Sequence, residues 1–138
     1  MTILGCYEEY HNDTGIMTSP NFPANYPNNV NCTFTIQTNN TRGIEITFQY
    51  FNLEYNYDYL YVGTGEYNIG GESQIIGAFT GDTVPDNLQI AGDGNVWMQL
   101  VTDDNKNSGG FSLTWRPIND SIGSVNPGML LIISYLSN

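Results

Sequence analysis

Between Asn31 and Gln37, Cys32, Phe34 and Ile36 alternate with Asn31, Thr33 and Thr35, and in the next segment Ile44, Ile46, Phe48 and Tyr50 alternate with Glu45, Thr47 and Gln49. A two-residue period sends every second side chain to the same face, which is the pattern of a strand with one buried side. The polar stretch Thr38-Asn39-Asn40-Thr41-Arg42-Gly43 between the two runs predicts a hairpin-like connection. Tyr57 to Val62, Gln74 to Phe79, Asn95 to Thr102 and Gly110 to Trp115 read as four further strands, set apart by Gly-, Asp- and Asn-rich stretches. No window repeats apolar residues at i, i+3 and i+4. Strands in succession without helices between them favour antiparallel pairing in a sandwich or a closed barrel, and periodicity alone leaves both open.

A chain of 138 residues with 40% hydrophobic content fits one domain with one core. Only 12% of residues are charged, and ten Tyr and fifteen Gly take up much of the difference, which is strand and turn chemistry. Three prolines in Ser19-Pro20-Asn21-Phe22-Pro23-Ala24-Asn25-Tyr26-Pro27 forbid a central strand there and predict a rigid surface loop. The net charge of -11 repels polyanions, so nucleic acid is excluded as a partner and cationic partners are favoured: basic proteins, ammonium groups or metal ions. One-sign charge also serves plain solubility.

Cys6 and Cys32 form at most one bond, and with His11 the only histidine they make a poor zinc set; in a small β-rich domain the pair reads as a staple. Sequons begin at Asn12, Asn31, Asn39 and Asn119. Together with the cysteines they favour a secreted protein or the extracellular face of a cell. Met1-Thr2-Ile3-Leu4-Gly5 lacks the basic and apolar regions of a signal peptide, so Met1 is read as the start of an expressed fragment. Met129 to Ile133 is apolar but far short of the ~20 residues that span a bilayer, and no membrane insertion is expected.

Gly15-Ile16-Met17-Thr18-Ser19-Pro20-Asn21-Phe22-Pro23-Ala24-Asn25-Tyr26-Pro27-Asn28-Asn29 followed by Cys32 resembles the opening of the CUB domain family. Further segments agree in order: Ile44 to Glu54, Tyr57 to Val62, Ala78-Phe79-Thr80-Gly81, and Thr102-Asp103 with Gly110-Phe111. The resemblance implies an all-β fold, an antiparallel two-sheet β-sandwich of jelly-roll type. It covers roughly Cys6 to Trp115, so residues 1–118 are expected to form the domain and 119–138 a C-terminal extension. Cys6 and Cys32 match the family's first disulfide. The second is absent, because Tyr55 and Thr80 stand where the family has its two cysteines, and the loop from Glu54 to Asp58 is shorter than the family pattern.

The resemblance further implies a calcium site at Glu54, Asp58 and Asp103, with Asn105 as an additional oxygen ligand and Tyr26 packed over the site and hydrogen-bonded to an acidic ligand. Calcium takes six to eight hard oxygen ligands, and carboxylates gathered in loops repel one another unless a cation lies between them. Lys106 nearby is expected to weaken binding; the competing reading is that these acids are solvated turn residues. In calcium-binding family members the same end captures a partner's lysine. By that resemblance Glu54, Asp58 and Asp103 act as the hook, flanked by Tyr26 and Tyr55, and the chain is a non-catalytic module for a basic protein ligand.

Catalysis fares poorly. His11 lies in a polar N-terminal stretch expected to be mobile, and it is the only imidazole a triad could use. Glu54 and Asp58 as a glycosidase pair, with Trp97 or Trp115 stacked on a sugar, is an alternative that strand positions make unattractive. A carbohydrate-binding module, as in the similar spermadhesins, and a structural spacer within a larger extracellular protein are the other readings.

Overall fold

The computed structural model describes residues 4–38, 42–65, 74–92 and 94–118. Nine strands appear in these segments and no helix: β1 (Leu4–Tyr10), β2 (Gly15–Thr18), β3 (Val30–Gln37), β4 (Gly43–Asn52), β5 (Tyr59–Thr64), β6 (Gln74–Phe79), β7 (Leu88–Ala91), β8 (Asn95–Val101) and β9 (Gly110–Pro117). They form a sandwich of two sheets, one of five strands in the order β1-β3-β8-β5-β6 and one of four in the order β2-β9-β4-β7. The expected C-terminal extension, the apolar run at Met129 and the sequons at Asn39 and Asn119 lie outside the described residues. None of the described segments is a helix long and apolar enough to cross a membrane.

The core is the meeting of the two inner faces. Cys32, Phe34 and Ile36 of β3 and Val96, Met98 and Leu100 of β8 pair in register on one sheet, opposite Ile44, Ile46, Phe48, Leu113 and Trp115 on the other. Phe34 and Phe111 cross the gap edge to face, with centroids 6.0 Å apart. Cys6 and Cys32, neighbours on β1 and β3, are disulfide-bonded.

Several expectations need correction. The alternation in β3 and β4 is real, but the two strands belong to different sheets, so Thr38 to Gly43 joins the layers of the sandwich and closes no hairpin. Pairing is not wholly antiparallel, since β1 runs parallel to β3. Of the stretch around His11, expected to be mobile, Tyr10 ends strand β1 while His11, Asn12 and Asp13 lie in the connection that follows it. Tyr50 faces outward, because a register shift between Phe48 and Tyr50 inserts one extra residue opposite β9 and sends Phe51 inward instead. Trp97 and Trp115 are both 3% exposed, so neither offers a face to a sugar. Trp97 lies over Gly63 on the neighbouring strand, where a side chain would collide with the indole, and Trp115 packs edge-on against Tyr10 and donates Nε1–H to the Asn12 carbonyl (3.1 Å).

Candidate functional site

One end of the sandwich is built from three connections: β2 to β3, β4 to β5, and β8 to β9. Ser19 pins the first of these to β9. Its N–H donates to the Phe111 carbonyl and its Oγ accepts from the Phe111 N–H, both at 3.0 Å. Gly110, with φ of 89°, sits beneath it, and a side chain there would run into Ser19. Asparagines then zip the first connection to the third. Asn25 Nδ2 donates to Asn107 Oδ1 (3.0 Å), Asn107 Nδ2 donates to Asn28 Oδ1 (3.2 Å), and the Asn29 N–H donates to the Asp103 carbonyl (2.7 Å). Thr102 adds a reciprocal pair with Val30, since the Val30 N–H donates to Thr102 Oγ1 (2.8 Å) while the Thr102 N–H donates to the Val30 carbonyl (2.9 Å).

The second connection supplies two acids from one tight turn. Asp58 N–H returns to the Glu54 carbonyl at 3.0 Å, with Asn56 in the left-handed region at φ of 66°. That turn is why Tyr57 and Asp58 precede β5 rather than begin it. Thr80 Oγ1 secures the turn from the far side, donating to the Asp58 carbonyl (2.7 Å) with the Glu54 carbonyl also in reach (3.1 Å), and accepting from the Asn56 N–H (3.0 Å). The Leu53 N–H donates to the Gly81 carbonyl (2.8 Å) beside it.

Within this frame one oxygen from each of Glu54, Asp58 and Asp103 lies within 4.8 Å of the others. Asp58 is fully buried. Its Oδ2 accepts from the Tyr26 hydroxyl (2.6 Å) and its Oδ1 from the Asp103 N–H (2.9 Å). The same hydroxyl accepts the Glu54 N–H (3.0 Å), so Tyr26, buried under the site, holds two of the three acid-bearing residues at one oxygen. Glu54 Oε1 is buried and has no hydrogen-bond partner. Asn105 is exposed, and its backbone N–H donates to Asp103 Oδ1 (3.3 Å). Tyr55 is exposed beside the turn with its ring near Gly81, while Asp104 and Lys106 point to solvent.

The electrostatics are unfavourable to three bare carboxylates. Desolvation raises the Glu54 carboxyl above its ordinary range, and the charges of Asp103 and then Asp58 add to it, with Lys106 pulling weakly the other way. Desolvation also raises Asp58, against the lowering effect of its hydrogen bonds from Tyr26 and the Asp103 N–H. Burial and the Asp58 carboxylate push the Tyr26 phenol up, which keeps it protonated as the donor. The donor set is all hard oxygen, the set a calcium ion takes. His11 is exposed, 3.4 Å from Glu9 Oε2.

Residues 6–115 match the CUB domain family. The chain belongs to that family. Human cubilin is 34% identical over 115 residues, covering 80% of this chain and 3% of cubilin, and human Tolloid-like protein 1 is 32% identical over 113 residues, 79% of this chain and 11% of that protein. The chain therefore spans a small fraction of the curated relatives it matches. The MASP-1 CUB2 domain bound to Ca2+ shares the fold with a TM-score of 0.69 at 22% identity, over 79% of this chain and 96% of that one. The full extracellular region of zebrafish Gpr126/Adgrg6 matches with a TM-score of 0.67 at 25% identity, over 83% of this chain and 15% of that region.

Set in the CUB pattern, the Thr80 contacts gain meaning. The Thr80 hydroxyl cross-links the acid turn to the segment after β6, at a position where the resemblance implies a cysteine. The sequence singles out Thr80 only as a missing cysteine; its hydroxyl bonds, the role of Ser19 and the asparagine zipper are not foreseen. A hydroxyl able both to donate and to accept, at a position where the resemblance implies a cysteine, is the available signal.

Proposed function

We propose that this CUB domain is a non-catalytic extracellular binding module that takes up calcium at Glu54, Asp58 and Asp103, with Asn105 adjacent, and uses the charged end so formed to grip a lysine on a basic protein partner. The observation that carries this reading is the convergence of three carboxylate oxygens within 4.8 Å, one of them on a fully buried Asp58. Ionised together they repel one another. A divalent cation would remove that repulsion and meet the buried, unpartnered Glu54 Oε1.

With the metal held, outward oxygens of Glu54 and Asp103 remain to accept from an ammonium group, a compact charge with three donors. Tyr26 and Asp58, expected to touch the partner, are fully buried and instead support the site from beneath; the exposed Tyr55 and Tyr57 of the same turn offer ring faces to the stem of a lysine. The disulfide and the likeness to an extracellular region support an extracellular setting. His11, the one histidine of the sequence, is exposed beside Glu9 (3.4 Å), away from the acidic end, which argues against triad chemistry there.

A lysine-bearing peptide should bind in millimolar calcium and be released by chelator, while the same peptide acetylated on its lysines should not bind. Equal binding of the acetylated peptide, or binding indifferent to calcium, would overturn the reading.

A further inference from the structure

A second surface lies along the side of the sandwich, formed by other residues. β1 ends its sheet and β2 ends the other, and between these two edges opens a cleft of about 400 Å³. Its floor is apolar: the Cys6–Cys32 disulfide, Phe34 and Ile16, the last 66% exposed. Its lining holds one charged side chain, Glu8, and no cation. Glu8 is opposite Phe34 in the pairing of β1 with β3, so it shares the face of Cys6 and Tyr10, but at this open edge it is exposed to the cleft and takes a hydrogen bond from the Tyr10 hydroxyl. Seven residues of β1 present their outer backbone edge, and among the described residues no strand lies beyond it.

We infer that this edge and cleft accept an extended segment of a basic protein, which adds as a further strand beside β1, places an apolar side chain over Ile16 and Phe34, and sets a lysine or arginine against Glu8. An open edge is a template for strand addition through main-chain hydrogen bonds, and the side chains that alternate into the cleft give the selectivity. The choice of occupant follows from charge. A second copy of this chain brings another -11 to an edge already carrying Glu8 and Glu9, whereas a basic strand neutralises them. Glu8 thus works in both directions, against self-pairing and for a cationic guest.

The test uses the full chain and a synthetic peptide of alternating lysine and valine, followed by titration calorimetry in chelator so that no metal contributes. The peptide should bind, Glu8→Gln should weaken it about three- to fivefold at low salt, and N-methylation of every peptide bond, which removes the backbone donors of both strand edges, should abolish binding. Asp103→Ala should leave it unchanged. Binding lost in Asp103→Ala but kept in Glu8→Gln would place the peptide at the acidic loops and refute the edge site, without touching the calcium reading. Equal binding of the N-methylated peptide would refute strand addition. Concentration-dependent dimerisation of the wild type through β1 would show the occupant to be a second copy, against the inference.

Discussion

At the scale of single residues the site turns on the Tyr26 hydroxyl. It accepts from the Glu54 N–H and donates to Asp58, so Tyr26→Phe leaves a backbone donor without its acceptor and a buried carboxylate without one of its donors. Loss of a buried partner of this kind costs about 1–3 kcal/mol, and urea unfolding should show it; a variant as stable as the wild type would remove Tyr26 from its central place. The carboxyls themselves make a signed prediction. Glu54 and Asp58 hold protons more tightly in the folded domain than in the unfolded chain, chiefly through desolvation. Their contribution is therefore fully present below the ordinary carboxylate values of about 4 and is lost as pH rises through the raised ones. In chelator, melting temperature should climb as pH falls from neutral toward that range, and Glu54→Gln should flatten the climb. A profile of the same slope in wild type and variant would contradict this account.

At the scale of elements, the turn from Glu54 to Asp58 is held by the Thr80 hydroxyl. Thr80→Val keeps the shape but removes two or more hydrogen bonds, so it should cost about 1–2 kcal/mol and weaken calcium binding, while Thr80→Ser should restore both. Equal calcium affinity in the valine variant would show that the turn holds itself. Periodicity is clearest where three or more apolar residues face inward, as in β3 with Cys32, Phe34 and Ile36. β5 buries only Leu60 and Val62 as apolar side chains and β6 has no buried residue, so both are legible instead from their bounding turn residues. β1 escaped because Glu8 shares the face of Cys6 and Tyr10 and breaks the alternation. β2 and β7 span four residues each, too few for a period to declare itself. The hairpin expected after β3 failed for a different reason: a polar turn reports that the chain reverses, and is silent on whether it returns to the same sheet. The acids were legible through the family pattern, but the hydrogen bonds that aim them join residues far apart in sequence, Tyr26 to Asp58 and Asn29 to Asp103, and no local signal encodes such pairs.

At the scale of the whole molecule, a chain of net charge -11 gathers three of its carboxylates at one end of a sandwich instead of spreading them. Because they come from two separate connections, they meet only in the folded state, and a cation bound there must stabilise the fold by mass action. The disulfide between β1 and β3 lies outside this site, so its contribution to stability should not depend on calcium. The decisive measurement is thermal unfolding with and without 10 mM calcium, with magnesium at equal ionic strength as the control, on wild type, Asp103→Ala and Asp104→Ala. With affinity in the range of about 10⁻⁴ to 10⁻³ M, calcium should raise the wild-type midpoint by about 5 °C or more. The exposed Asp104 should prove dispensable, and Asp103→Ala should abolish the shift. A midpoint that calcium leaves unchanged in the wild type, or raises equally in Asp103→Ala, would contradict the site.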